Sequence, residues 1–431
     1  MKTPGSARWT VLVLLFLGGM INYLDRSAIG VAAPFLSKQL SLTPSELGWV
    51  FSVFFFGYAA FCFVGGYASD RIGGRNVFAI AAVVWSVFCG LTAFVFSYAS
   101  LLIVRLIFGA GEGPYGSATN KMISNWFPRR QQGSAVGWAN AGTPLGGAIA
   151  GPIVGFIALA YGWRVSFVVI ALIGLGWAIV WMLFVTERPE RGADVSAAER
   201  AATEAEPVVL SAGPRARLGR LLIRPGVLAT AFAFFGYAYI LYFFLSWFPS
   251  YLTMQQHLSI SSMSFVGAIP WLLGFIGLAG GGVVSDAIFR FTGNAVLARK
   301  LVLVGGLLIA ATCVALAGEV TGLLAAVTLM AVSVFFMYLT GHTYFTLILD
   351  TVEQDRVGGV SGFVHLIANL AGIVAPAVTG YMVEASGSFA GAFVLAGAIA
   401  VLGALSVVVF VRAPTKSGRR HSECRTQSPL E

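Results

Sequence analysis

The sequence predicts an all-α membrane protein, and three features carry that prediction. Of its 431 residues, 58% are hydrophobic and only 10% are charged, which excludes a string of soluble domains. Twelve apolar stretches follow one another along the chain, each near the ~20 residues that a spanning helix requires. None alternates strictly between apolar and polar residues, as the strands of a membrane barrel do.

The first stretch runs from Trp9 to about Phe35 and holds Asp25 and Arg26 deep inside it. It is too long for a signal peptide and lacks a small-residue cleavage site, so it is expected to stay in the protein. Five more stretches follow at about 47–68, 77–98, 100–123, 133–157 and 164–185. The last six occupy about 226–249, 263–285, 300–318, 322–348, 358–383 and 388–411. Between the two sets, residues 187–225 form the one long polar interruption, with seven Arg and six acids among Ala, Pro and Gly. The expected organisation is therefore a six-helix half over 1–186, a cytoplasmic linker over 187–225, a second half over 226–412 and a tail over 413–431.

Charge fixes the orientation. With the amino terminus inside, Lys38 and Arg164 are the only cations in external loops. Arg71, Arg75, Arg129, Arg130, Arg290, Arg299, Lys300, Arg356 and the Arg-rich tail all fall inside, which satisfies the positive-inside rule with both termini cytoplasmic. The net charge of +9 then belongs to a solvated inner face against anionic lipid, and no nucleic-acid partner is needed to explain it. Cys62, Cys89 and Cys313 lie in apolar stretches and Cys424 in the tail; no CxxC pair or disulfide framework is visible.

The halves repeat. Gly66-Tyr-Ala-Ser-Asp70 ends the second stretch, and Gly282-Val-Val-Ser-Asp286 ends the eighth, 216 positions later. Gly137, Gly147 and Gly155 recur as Gly362, Gly372 and Gly380 at a spacing of 225. Two parallel six-helix halves imply a site between them, near the middle of the membrane.

At these motifs the chain resembles the major facilitator superfamily over nearly its whole length. The stretch from Gly66 through Asp70 and Arg71 to Gly73 and Arg75 is similar to that superfamily's loop signature. Its physics is legible: Gly66 allows close helix approach, Asp70 can cap a neighbouring helix, and Arg71 and Arg75 can pair across a cytoplasmic gate. The second copy keeps Gly282 and Asp286 but has Ala287 where an Arg would stand. Finer resemblance points to the anion:cation symporter branch, with its aldonate, hexuronate, glucarate and phthalate permeases. It rests on Ile21-Asn-Tyr-Leu-Asp-Arg26, Arg105-Leu-Ile-Phe-Gly-Ala-Gly-Glu-Gly113, Asn125-Trp-Phe-Pro128 and Ser361-Gly-Phe-Val-His-Leu-Ile-Ala-Asn369.

Four ionisable groups lie inside the first and fourth stretches: Asp25, Arg26, Arg105 and Glu112. Charges in hydrocarbon cost several kcal/mol, so they face protein or a water-filled cavity. At 1.5 Å per residue, Arg105 lies nearly level with Asp25 in a ~30 Å core, with Glu112 about a turn and a half deeper. Asp25 is expected to pair with Arg105, leaving Arg26 and Glu112 to share the cavity. The planar fork of Arg26 suits a carboxylate and stays charged at any working pH. The resemblance implies the same roles, with Arg26 for substrate and Asp25 and Glu112 for protons.

Uncharged candidates are weaker. Tyr23 lies near the charged pair, and Tyr58 matches a substrate-contacting position in related permeases. Asn140 and Thr143 stand a turn apart; His365 is the repeat counterpart of Asn140, and Asn369 shares its face. Tyr242 and Tyr344 are aromatic candidates, with helix packing the plainer role. Gly147-Ala-Ile-Ala-Gly151-Pro152 resembles a drug-antiporter signature, although small residues four apart serve close packing equally well.

These features together lead us to expect a proton-coupled symporter that imports an organic carboxylate such as a sugar acid by alternating access. The alternative is a proton-driven drug or metabolite exporter of the same fold. A membrane enzyme or ATP-driven pump would need machinery the chain lacks: there is no Walker-type loop, HExxH or nucleophile elbow. A monomer in a bacterial inner membrane is expected, with a small organic anion as partner, the proton as coupling ion and no other cofactor.

Overall fold

In the computed structural model, residues 6–188, 218–352 and 357–411 are described. Most of the expected linker, all of the expected tail, Arg356 and Cys424 lie outside them. Every regular element among the described residues is helical. The first half comprises α1 (Ser6–Leu40), α2 (Pro44–Ile72), α3 (Gly74–Leu91), α4 (Tyr98–Glu112), α5 (Tyr115–Trp126), α6 (Arg129–Tyr161) and α7 (Trp163–Phe184). After the short α8 (Leu218–Leu222) come α9 (Pro225–Met254), α10 (Ile260–Val266), α11 (Ala268–Thr292), α12 (Ala295–Ala317), α13 (Leu323–Thr340), α14 (Thr343–Thr351), α15 (Val357–Ser386) and α16 (Ala390–Phe410).

Local chemistry sets the boundaries. Thr43 and Glu46 close a capping box at the start of α2, with Pro44 at its first helical position. Gly73 and Gly162, at φ of 88° and 91°, punctuate α2–α3 and α6–α7 where a side chain would be strained. Eleven described segments are long and apolar enough to span a membrane. The fourth expected span is the exception. It divides at Gly113–Pro114 into α4 and α5, of 15 and 12 residues, because Pro114 contributes no N–H to the helical ladder.

The helix pairing is repeated. In the first half α1 packs on α6, α2 on α4, and α3 on α7; in the second, α9 packs on α15, α11 on α13, and α12 on α16. Glycines set two of these crossings. A Cβ on Gly57 or Gly109 would collide with the facing backbone of α4 or α2, and one on Gly142 or Gly146 with that of α1. The halves meet through α1 on α9, α2 on α15, and α6 on α10 and α11.

Taking the face that carries Asp70 and Arg75 as the inner one, the halves close on the outer side. There Gly30 abuts Leu245, Gly48 abuts Pro376, Gly380 abuts Pro44, and Gly151 abuts Ser264, with no room for a Cβ at any of them. Polar contacts reinforce the closure, with Ser45 N–H donating to Glu384 at 2.9 Å and the Ser52 hydroxyl to the Ile373 carbonyl at 2.7 Å. At the inner ends, Gly133 and Gly137 of α6, Gly282 of α11 and Gly362 of α15 face open space. The drug-antiporter-like glycines thus have a packing role: Gly147 lies on the Trp271 ring and Gly151 on Ser264 across the interface.

Candidate functional site

Asp25 and Arg26 are neighbours on α1 and therefore point about 100° apart. Arg26 turns into the space between the halves, and Asp25 turns back toward α3. The crossing of α1 on α6 and that of α2 on α4 then fix what each meets.

Arg26 is 3% exposed and forms a buried ion pair with Glu112 of α4. Its Nε and Nη2 donate at 2.9 and 2.5 Å, both to Oε2, and Glu112 Oε1 is left without a hydrogen bond. The guanidinium sits in an aromatic box, 5.0 Å from the Tyr23 ring centre, 5.1 Å from Phe54 and 4.8 Å from Tyr58. Cation–π contact of this kind holds a desolvated cation without neutralising it. Tyr23, Tyr58 and Glu112 are thus brought together around Arg26.

The expected pair of Asp25 with Arg105 is not formed. Arg105 Nε donates to the Val50 carbonyl at 3.4 Å, and its guanidinium lies 4.8 Å from the Phe54 ring and 5.2 Å from Phe108. Asp25, 1% exposed, has neither oxygen hydrogen-bonded; Trp85 and Cys89 of α3 lie beside it. The reason is directional. Similar depth made the pair plausible, but Arg105 packs toward α2 while Asp25 faces α3.

The second half supplies the opposite wall. Tyr242 of α9 lies 4.3 Å from the Phe55 ring and within electrostatic reach of Arg26. Its hydroxyl donates to Asn369 Oδ1 at 2.8 Å, and Asn369 Nδ2 donates to the His365 carbonyl at 2.8 Å. Tyr338 of α13 and Trp271 of α11 complete the wall, Trp271 standing edge-on to Tyr23 at 6.1 Å. The His365 ring lies 6.0 Å from both Phe234 and Phe345 with Nδ1 unpartnered, away from Arg26. Thr143 spends its hydroxyl on the Asn140 carbonyl at 2.8 Å. Nothing joins Asn140 to His365 among the described residues. Tyr344 packs against Phe234 at 4.5 Å, an aromatic packing role.

Trp271, Tyr338, Phe54 and Trp85 escaped the sequence reading. Aromatic residues make up 13% of the chain, so composition singles none of them out, and only the helix crossings select them. A small cavity of about 20 Å³, room for little more than one water, lies outward of the pair, lined by Ser27, Val31, Gly151, Phe244, Phe248 and Trp271, with no charge on its walls.

The gate candidates make their contacts within their own halves. Asp70 pairs with Lys121 at 2.7 Å, Arg71 covers the Tyr67 ring at 4.8 Å, and Arg75 Nη2 donates to the Met182 carbonyl at 2.6 Å. Gly66 meets only Ser117 of its own half. Asp286 pairs with Arg299 at 3.2 Å. In this arrangement Arg71 and Arg75 contact only their own half, so pairing across the gate would belong to a state in which the inner ends meet. The expected cap is corrected. Glu187, not Asp70, accepts from Gly74 and Arg75 N–H at 2.9 and 2.8 Å, because it arrives from α7 directly over the exposed first turn of α3.

Comparison with known proteins bears on the whole chain. The sequence profile described as the Major Facilitator Superfamily matches residues 15–364 and, separately, 294–430. The "Hexuronate transporter" of Bacillus subtilis (strain 168) is 51% identical over 404 residues, covering 93% of this chain and 94% of that protein. The "Probable sulfoacetate transporter SauU" of Cupriavidus necator is 33% identical, covering 94% of each. The "D-galactonate transporter" of Escherichia coli O6:H1 is 30% identical, covering 95% of this chain and 96% of its own. Among solved structures, a bacterial homolog of the human lysosomal transporter Spinster, inward-facing and occupied, superimposes with a TM-score of 0.73 at 18% identity, covering 93% of this chain and 96% of its own. That likeness speaks to the fold alone.

Proposed function

The chain belongs to the Major Facilitator Superfamily, whose members are secondary transporters and not enzymes, and from that premise we propose that it imports a sugar acid together with protons. The observation that carries this reading is the Arg26–Glu112 pair: one buried cation, boxed by aromatic rings, held by a single carboxylate oxygen. Sugar-acid relatives support the substrate class, and the 51% identity to a hexuronate transporter favours uronates.

The pair explains why substrate and proton would travel together. With Glu112 ionised, Arg26 is already neutralised, and an incoming carboxylate would bring a second buried negative charge. With Glu112 protonated, the guanidinium is free to bind the substrate carboxylate through its fork. Each ligand then favours the other, which is reciprocal coupling between two sites. In a cytoplasm of higher pH, Glu112 gives up its proton, recaptures Arg26 and displaces the substrate inward. Import by a bacterial inner-membrane monomer is the physiological setting this mechanism fits.

The test uses purified protein in liposomes with an acidic exterior and radiolabelled glucuronate. We expect accumulation above the external concentration, abolished by a protonophore. Uptake that ignores the pH gradient would overturn proton coupling. Saturable efflux of a lipophilic cation, with no carboxylate uptake, would support the exporter alternative.

A further inference from the structure

The wall facing Arg26 carries a directional hydrogen-bond chain. Asn369 Nδ2 donates to the backbone carbonyl of His365, which fixes the orientation of the amide because a carbonyl can only accept, so the NH2 and not the oxygen must face it. Asn369 Oδ1 must then be the acceptor for Tyr242, whose hydroxyl donates to it at 2.8 Å. A phenol has one proton. Having given it to Asn369, Tyr242 offers only lone pairs to any other neighbour. Tyr242 and Asn369 are 6% and 4% exposed, so water has little access to reverse this polarity.

From this geometry we infer that Tyr242 selects a substrate bearing one carboxylate and a hydroxylated far end, and rejects the diacid of the same length. A substrate hydroxyl can donate to the Tyr242 oxygen; an ionised carboxylate has no proton to give and meets lone pairs. Arg26, engaged by the first carboxylate, is not free to compensate it. Arg26 and Arg105 are the only buried cations among the described residues, and Arg105 is held at the Val50 carbonyl behind Phe54. A second carboxylate buried there without a cation carries the desolvation penalty of an unpaired charge. Asn369 acts through Tyr242 and is a positioning residue: it decides which way the phenolic proton points. The inference rests on Arg26 as the carboxylate anchor and adds what the other end of the substrate must be.

The experiment compares glucose, glucuronate and glucarate, which share six carbons and carry none, one and two carboxylates. Binding to the purified full chain is followed by tryptophan fluorescence, with Trp271 standing in the wall, or by calorimetry at neutral pH. Glucuronate should bind at least about tenfold more tightly than glucarate, and glucose should not bind measurably. Tyr242→Phe should weaken glucuronate several-fold and leave glucarate unchanged. Asn369→Leu frees the phenolic proton to turn into the site, so the glucuronate-to-glucarate ratio should fall several-fold; a merely structural Asn369 would weaken both ligands alike. Equal affinity for the two acids in the unmodified protein, or an unchanged ratio in Asn369→Leu, overturns the inference while leaving the anchor intact. Glucose binding as well as glucuronate, or no binding by either acid, overturns the anchor itself.

Discussion

The two halves share one pairing scheme, α1 on α6 matched by α9 on α15 and α2 on α4 by α11 on α13. Yet α1 and α4 bury Asp25, Arg26, Arg105 and Glu112, whereas the described second half buries no charge and faces the same space with Tyr242, Tyr338 and Asn369. A structural repeat fixes where helices cross, not what they carry. Concentrating the charges in one half has a mechanical consequence: the Arg26–Glu112 pair lies within one bundle, so a rocking of the halves would not tear a buried ion pair apart. The neutral wall can slide against the charged one, because phenols and amides lose far less on changing partners than ions do.

The sharpest way to break this division is Arg26→Lys. Lysine keeps the charge and loses the planar fork, so substrate affinity should fall about a hundredfold by calorimetry, the scale of two charge-assisted hydrogen bonds. Near-normal affinity would mean that charge alone suffices and that the box of Tyr23, Phe54 and Tyr58 is packing. Glu112→Gln probes the same pair from its other side. The amide keeps shape and hydrogen bonding but cannot cycle a proton, so gradient-driven accumulation should vanish while substrate-for-substrate exchange persists. Accumulation that survives in Glu112→Gln would move the coupling role elsewhere.

Asp25 is the place to test how many protons the proposed cycle would move. It is buried with neither oxygen hydrogen-bonded, unlike the paired Glu112. If both acids cycle, two protons accompany a monoanion and one net positive charge crosses inward. A potential of 100 mV, negative inside, then contributes ~2.3 kcal/mol, about fiftyfold in accumulation. Liposomes with a potassium–valinomycin potential and no pH gradient should therefore take up glucuronate, and Asp25→Asn should lose that response. Uptake that is blind to the potential leaves Glu112 as the single coupled acid and Asp25 as a structural group.

How much of this was legible in the sequence differs between the halves in the same way. Charges inside apolar stretches are rare and expensive, so Arg26 and Glu112 stand out, and matching Asp25 with Arg105 by depth leaves those two to share the cavity. Their partners were harder to read. Asp25 and Arg105 are level, but depth says nothing of direction around a helix, and the helix crossings turned them toward different neighbours. The neutral wall was nearly silent: Tyr338 and Trp271 are two aromatics among many, and only packing brings them to Tyr23. Span four was miscounted as a single helix because apolar content runs straight through Gly113–Pro114. At the inner face, Asp70 looked like the cap because its motif is local, while the residue that does the capping, Glu187, is remote in sequence.

The smallest effect tests the comparison between the outer and inner ends of the interface. At the outer rim Glu384 of α15 accepts from the first turn of α2 across the two halves, a carboxylate on a helix amino terminus, where the helix dipole favours negative charge. Glu384→Gln can still accept that hydrogen bond but loses the charge, so the balance should move modestly from closed toward open outer ends. Ser27 lines the outward cavity at 5% exposure, so Ser27→Cys should react with an external membrane-impermeant maleimide only when that end opens. Cys62, half-buried one turn inward of Tyr58 and within reach of Arg26, should react from the inner side and be protected by bound glucuronate. Adding Glu384→Gln should raise outside labelling of Ser27→Cys modestly and lower inside labelling of Cys62, each read by mass spectrometry of its peptide. If neither rate moves, the Gly48–Pro376 and Gly380–Pro44 contacts hold the outer end without help, and closure is a matter of backbone fit and not of charge.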